Sequence, residues 1–329
     1  NLREFLIKNE RVNLQELAWT LQVGRSEFSY RTALVAKNSE EVIKLLGEEQ
    51  KIQENKRTTA NGGKKIAFMF PGSGSQYIDM GRGLYENEPF FRKQMDIGFD
   101  ILKTITKINY SKIIYGLDSI KERSEINDNL HTQPILFLFE YSLAQLLIKW
   151  GLRPDCMIGH STGEYVSACI SGVFSLSDGL SLMLKRAELM SRTEKGYMIG
   201  LEVNKNELSS FLNEKISVSA INSPSNCVVS GEVQEMNELI NVLEEKDIAY
   251  SKLRISIAAH SKLMRSIESE FKKMVGTIEL SAHQIPYVSN LTGAYVTNEQ
   301  VKSEDYWVKH LTNTVRFSEG IQLLLEDPN

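Results

Sequence analysis

The run Cys156-Met157-Ile158-Gly159-His160-Ser161-Thr162-Gly163-Glu164-Tyr165 constrains this chain more than any other stretch. It reads as a short apolar strand, a sharp turn and the start of a helix. Ser161 stands at the centre of a G-x-S-x-G pentapeptide. Such a turn pushes a serine hydroxyl out of a sheet, and its glycines remove Cβ atoms that would clash at a strained backbone. The helix behind it points backbone N–H groups to where an oxyanion would form. An ordinary strand-to-helix turn can carry the same letters, so the pentapeptide alone leaves a catalytic and a structural serine equally open.

Ile66-Ala67-Phe68-Met69-Phe70 reads as a buried strand that runs into Pro71-Gly72-Ser73-Gly74-Ser75-Gln76. A glycine-rich turn off a strand end presents N–H groups to a phosphate or an oxyanion. The spacing lacks the P-loop lysine and the last glycine of a dinucleotide fingerprint, which favours the oxyanion, with a plain tight turn as the competing reading. Residues 84–150 read as mostly helical, with Gln133-Pro134 placed just before an apolar helix from Ile135 to Trp150. Asp178 is expected to cap a further helix running to about Arg192. On that helix Leu180, Met183, Leu184, Ala187 and Met190 form an apolar stripe, and Arg186 falls at its edge. A guanidinium stays charged, so Arg186 needs an anionic partner, a structural carboxylate, or a path to solvent.

Residues 194–255 alternate as strand, helix, strand, strand, helix, strand, with a turn at Ser223-Pro224-Ser225-Asn226, which is the ferredoxin-like order. His260 comes next, just before a helix whose positive end disfavours imidazolium and leaves a neutral ring able to accept a proton, with a helix cap or a surface histidine as the competing reading. Gln284 to Val288 reads as one more strand. Residues 1–58 form a separate opening, with a helix at Leu14–Leu21, a strand at Tyr30–Ala36 and a helix from Ser39 to Leu46. A polar linker spans Lys51 to Lys65. A core that small is marginal alone and fits a docking or spacer unit.

With 329 residues the chain has room for two or three packed units, and its ends read as those of a segment cut from something longer. The net charge of −4 argues against a nucleic-acid or anionic-membrane partner. Cys156, Cys169 and Cys227 lack metal-ligand spacing, so no metal site is expected and reduced, packed thiols are. With no signal peptide and no apolar run of membrane-spanning length in these residues, a cytoplasmic location is expected.

Five stretches together resemble the acyltransferase domains of modular polyketide synthases, kin to malonyl-CoA:acyl carrier protein transacylases. They are Phe70–Gln76, Gly159–Glu164, Arg186–Met190, Ala259–Met264, and Tyr306–Leu311 through Val315-Arg316-Phe317. They occur in the family's order over residues 64 to about 325, while residues 1–58, with Leu21–Arg25, resemble the linker that joins a ketosynthase to its acyltransferase. The resemblance implies an α/β fold: an α/β-hydrolase-like large subdomain (59–193 and 256–329) carrying an inserted ferredoxin-like small subdomain (194–255), preceded by a small α/β linker domain.

It also implies roles. Ser161 attacks the thioester of an acyl-CoA such as malonyl-CoA, and His260 takes its proton and returns it to the leaving thiolate. Backbone N–H groups of Ser73 and Thr162 hold the oxyanion, and Arg186 holds the free carboxylate of a malonyl-type group. Gln76, His160, Ile257 and Ala259 border the acyl pocket, and the backbone carbonyl of His310 orients the catalytic histidine. The acceptor is the phosphopantetheine thiol of an acyl carrier protein, the neighbouring domain is a ketosynthase, and no bound cofactor is implied. The chain departs from the family by Ser73 in place of the usual Gln and by Thr314 where Pro is common. In relatives a Phe beside the histidine goes with malonyl and a Tyr-Ala-Ser-His run with methylmalonyl. This chain has Ile257-Ala258-Ala259-His260, which leans to malonyl. The competing readings are a serine esterase or thioesterase, with the same nucleophile and water as acceptor, and a non-catalytic docking module.

Overall fold

The computed structural model describes residues 1–9, 11–26, 28, 30–48, 57–58, 65–116, 125–208, 211–253 and 257–326. The chain separates into two compact units, Asn1–Lys64 and Lys65–Asn329, against a boundary expected at 58. The expected linker at Lys51 to Lys65 falls almost wholly outside the described residues.

The first unit holds α1 (Leu2–Lys8), α2 (Leu14–Val23), β1 (Tyr30–Arg31), α3 (Ser39–Leu45) and β2 (Arg57–Thr58). Asn13 and Asn38 cap α2 and α3 with their side-chain oxygens, which satisfies N–H groups that the helix leaves orphaned. The strand expected over Tyr30–Ala36 shrinks to Tyr30–Arg31, which pairs with Thr58 and Arg57, its only strand partners among the described residues.

The second unit opens with β3 (Ala67–Phe70), followed by α4 (Arg82–Asn87), α5 (Pro89–Thr106), α6 (Tyr110–Tyr115) and α7 (Asn129–Lys149). The helix expected from Ile135, just after Gln133-Pro134, begins earlier, at Asn129. Asp128 caps α7 by accepting from Leu130 N, and Pro134 lies inside the helix. Gln133 therefore sits on a helix rather than ahead of one. Next come β4 (Cys156–Gly159), α8 (Thr162–Ile170) and α9 (Leu176–Ser191). Asp178 is not the cap of α9: Ser175 is, its Oγ accepting from Asp178 N at 3.1 Å.

The inserted part is β5 (Gly196–Leu201), α10 (Lys205–Leu208), β6 (Ser217–Ser223), β7 (Asn226–Glu232), α11 (Val233–Glu245) and β8 (Tyr250–Lys252). Its strands pair antiparallel in the order β6-β7-β5-β8, the ferredoxin-like arrangement read from the sequence. After a 3₁₀ turn at Lys262–Ile267 the chain ends with α12 (Glu268–Val275), β9 (Tyr287–Val288), α13 (Asn298–Val301), α14 (Glu304–Thr312) and α15 (Phe317–Glu326).

The large body is an α/β unit built on the parallel sheet β3-β4-β9, in which Phe70 pairs with Gly159 and Ile158 with Val288. That register brings the ends of three strands together, so the turns that come after Phe70, Gly159 and Val288 emerge side by side. Ligands of open parallel sheets sit at such carboxyl ends. The main core packs α7, α8 and α9 around Phe137, Tyr165 and Met183, all fully buried. A second core fills the inserted sheet. A third, smaller cluster joins the two: Met198, Ala220 and Val228 of the inserted sheet pack on Val315. Val315 also extends β6, donating to Ser219 O and accepting from Ile221 N at 2.9 Å each. All three cysteines are buried, and no disulfide joins them. Among the described residues no helix is long and apolar enough to cross a membrane.

Candidate active site

The turn after β4 adopts the shape its glycines suggested. Ser161 has φ 52° and ψ −109°, a left-handed value that costs a non-glycine residue roughly 1–3 kcal/mol. The flanking glycines are required by contact. A Cβ on Gly159 would lie 1.9 Å from Gly163 C, and one on Gly163 would lie 2.3 Å from Phe70 O. The nucleophile turn thus presses against the end of β3 with nothing between them. Asn290, just past β9, holds it there: its side-chain oxygen accepts from Ser161 N at 2.7 Å and its side-chain nitrogen donates to Gly159 O at 2.6 Å.

Ser161 Oγ lies 2.7 Å from His260 Nε2. The other ring nitrogen, Nδ1, is 3.1 Å from the backbone carbonyl of His310 and 3.1 Å from that of Asn313. Two acceptors at Nδ1 assign the proton to that atom, which leaves the Nε2 lone pair to receive the Ser161 hydroxyl proton. Burial holds the His260 pKa well below its ordinary value of 6.5, and the nearby Arg186 adds to the effect. The ring is neutral, as expected, but for a different reason. The chain leaves His260 in a 3₁₀ turn capped by Ser261, and burial rather than a helix dipole leads the causes. No carboxylate touches His260 among the described residues, so the pair is a dyad whose third element is main chain.

Arg186, on α9, is 2% exposed. Its Nη2 is 3.3 Å from Ser161 Oγ and its Nη1 donates to Gln133 Oε1 at 2.5 Å. Its Nε has no partner, and among the described residues no carboxylate pairs with it. Tyr165 lies beneath the guanidinium, 5.7 Å from its carbon to the ring centroid. Burial lowers the Arg186 pKa from its ordinary value, yet a guanidinium still carries its charge at neutral pH. A buried cation with spare donors beside the Ser161 hydroxyl can pair with a planar anion.

The other expected residues surround this point unevenly. Thr162 is fully buried at the first position of α8, and Ser73 lies in the turn after β3, the strand in register with β4. His160 Nε2 meets Asn222 Oδ1 of the inserted sheet at 2.9 Å, and its ring packs on Phe317 with centroids 5.3 Å apart. Burial lowers its pKa as well. Gln76 braces its own loop, accepting from Gly74 N at 2.8 Å and reaching Asn127 Oδ1 at 3.3 Å. Ile257 is buried in the main core, and Ala259 is partly buried between the main core and the joining cluster. The Ala259 carbonyl accepts from Ser219 Oγ at 2.9 Å. Ser161, His260 and Arg186 thus share one point, with His160 beside Ser161 in the chain, while the side-chain bonds of Gln76 go to Gly74 and Asn127.

Reading the sequence missed Gln133, Asn222, Asn290 and Asn313. Gln133 was within reach: Asp128 is a good cap residue, and starting the helix there puts Gln133 inside α7. The asparagines carried no local signal, since Asn290 acts on a residue 129 positions away.

The acyl transferase domain model matches residues 67–329, and a model described as the C-terminal part of CurL-like polyketide synthases matches residues 1–46. Polyketide synthase GfsB of Streptomyces halstedii is 31% identical over 334 residues, covering 99% of this chain and 6% of that protein. The spectinabilin polyketide synthase system protein NorB of Streptomyces orinoci is 34% identical over 273 residues, covering 82% of this chain and 12% of its own length. The chain therefore spans a small fraction of the curated relatives it matches. The solved acyl transferase domain of ZmaA superposes with a TM-score of 0.91 at 38% identity, over 99% of this chain and 76% of that one. The match over residues 67–329 and these neighbours place the chain in the acyl transferase domain family, as an acyltransferase of the polyketide synthase type.

Proposed function

We propose that this acyltransferase moves a malonyl-type acyl group from CoA to the phosphopantetheine thiol of an acyl carrier protein, through an ester on Ser161. The observation that carries the reading is Arg186: a buried guanidinium without a carboxylate partner among the described residues, 3.3 Å from Ser161 Oγ. An esterase acting on simple acyl groups has no use for such a clamp, whereas an acyl group with a free carboxylate needs one.

His260 Nε2 takes the hydroxyl proton as Ser161 Oγ attacks the thioester carbonyl, and the oxyanion that forms lies toward the backbone N–H groups of Thr162 and Ser73. The C–S bond breaks, and the CoA thiolate leaves with the proton from His260. The carrier thiol then gives its proton to His260 and attacks the ester, and Ser161 recovers its own on leaving. If the oxyanion donor at position 73 is main chain, serine in place of the family's glutamine leaves that bond intact. No bound cofactor enters these steps. The match of residues 1–46 to a polyketide synthase segment supports a ketosynthase as the neighbouring domain.

For the acyl group we favour malonyl over methylmalonyl. Ile257 and Ala259 lead into His260, and the bulk of Ile257 refills part of the room that a small residue at 259 leaves. A methyl group discriminates by only about 1–3 kcal/mol, so the preference is modest. The acyl transferase domain of SpnD, 29% identical with a TM-score of 0.91, was solved with 2-(pent-4-yn-1-yl)malonyl, which supports a malonyl-type group in this fold.

The test compares two donors on Arg186→Ala. Loading from malonyl-CoA should fall roughly 100-fold or more, the scale of a buried charge pair broken on one side, while acetyl-CoA loading changes little. Equal losses for both donors would overturn the clamp.

A further inference from the structure

Glu164 closes the G-H-S-x-G-E run, and its side chain lies inside the protein. It is fully buried, and both carboxylate oxygens are engaged. Oε2 accepts from the backbone N–H of Asn290 at 2.6 Å, and Oε1 accepts from the Tyr306 hydroxyl. His310 Nε2 lies 3.2 Å from Oε2. These contacts lead to both halves of the dyad. Asn290 is the residue whose side chain grips the nucleophile turn at Ser161 N and Gly159 O. Tyr306 and His310 lie one turn apart on α14, and the His310 carbonyl is one of the two that hold His260 Nδ1. The Tyr306 hydroxyl also reaches Ser289 Oγ at 2.7 Å, on the segment that carries Asn290.

We propose that Glu164 is a positioning residue that keeps Ser161 and His260 in register, on the reading above that this pair carries the acyl transfer. A buried carboxylate is costly to leave unsatisfied, so its two donors, Asn290 N and the Tyr306 hydroxyl, are pinned to one point. The nucleophile's seat and the helix that orients the base then cannot shift independently. The acylated state needs this coupling. As the ester forms and breaks, Ser161 Oγ and His260 Nε2 must return to hydrogen-bond distance for the second transfer, and displacements of about 1 Å cost on the order of 100-fold.

Glu164→Gln keeps the size and one acceptor, but it sets an amide N–H₂ against either the Asn290 N–H or the Tyr306 O–H. Single-turnover acylation by malonyl-CoA should slow by about 10–100-fold, the scale seen when supporting residues of a site are changed, with KM altered less than about threefold. Tyr306→Phe removes one contact and leaves the Asn290 link. It should slow acylation by less, and adding it to Glu164→Gln should slow acylation by less than the product of the two single effects. A rate per folded molecule equal to wild type in Glu164→Gln would overturn the proposal. If that variant does not fold, a wild-type rate in Tyr306→Phe would overturn it. Ser161→Ala separates the two readings: an acyl-enzyme that persists there defeats the function itself, whereas a dead Ser161→Ala beside a fully active Glu164→Gln defeats only the role of Glu164.

Discussion

Ser161 and His260 occupy turns of the same kind held by opposite means. Both have left-handed φ, 52° and 55°, and both lead from irregular or extended chain into a helical turn. The serine is flanked by glycines that the backbone of Phe70 and Glu164 leaves no room to replace, and a side chain, Asn290, grips its turn. The histidine has no glycine beside it and is aimed by two main-chain carbonyls, those of His310 and Asn313. The position of Ser161 is therefore written in residue identities, and that of His260 in the path of the backbone. Substitutions near the first should be severe, and side-chain changes at the orienting carbonyls mild.

The largest effect is expected from removing the base itself. His260→Ala should slow acylation of Ser161 by about 10²–10⁴-fold, measured by single-turnover loading. Gly163→Ala comes next: its Cβ would sit 2.3 Å from Phe70 O, so the end of β3 and the start of α8 must part. Overpacking of this kind costs roughly 1–3 kcal/mol or more, and thermal unfolding should show it together with lost loading. An unchanged Tm with full activity would erase the asymmetry.

Acidity offers a third probe. A histidine held neutral in the fold takes up a proton on unfolding below its ordinary value of 6.5, so its contribution to stability falls as pH drops through that point. Glu140, whose burial raises its pKa, contributes with the opposite sign, and His160 with the same sign as His260. The difference between wild type and His260→Gln isolates one group. Between pH 6.5 and 5.5 that difference should change by roughly 1 kcal/mol, with the wild type losing more. Activity per folded wild-type molecule should not titrate near pH 6.5. The smallest effect is expected at Asn313→Ala, which keeps the orienting carbonyl and alters an exposed side chain. Loading should stay within about twofold, the size of a 0.5 kcal/mol surface change. A loss beyond tenfold would mean that the side chain, not the carbonyl, aims His260.

Local patterns told most about the elements that local chemistry determines. The amphipathic spacing over Val233 to Glu245 marks α11 end to end, and the apolar run before Gly159 marks β4. Ser161, His260 and Arg186 are visible because a nucleophile turn, a neutral imidazole and an apolar-flanked cation each leave a trace in sequence. Two errors come from reading punctuation too literally. Pro134 reads as a helix start, yet α7 begins five residues earlier on the Asp128 cap, which is what turns Gln133 toward Arg186. Asp178 reads as a cap, but it is the residue that Ser175 bonds, with the Ser175 hydroxyl donating back to its carboxylate at 2.6 Å. Asn290 and Asn313 are illegible for a different reason: their work is done across the fold, 129 and 53 residues away in sequence.

The most direct test is the fate of the acyl group on Ser161. Intact-mass and peptide spectrometry after incubation with malonyl-CoA should show one malonyl group on the peptide bearing Ser161. Adding a phosphopantetheinylated carrier protein should then move that group to the carrier far faster than water removes it. Loss to water at the same rate with and without carrier, or no ester on Ser161 at all, would contradict the account.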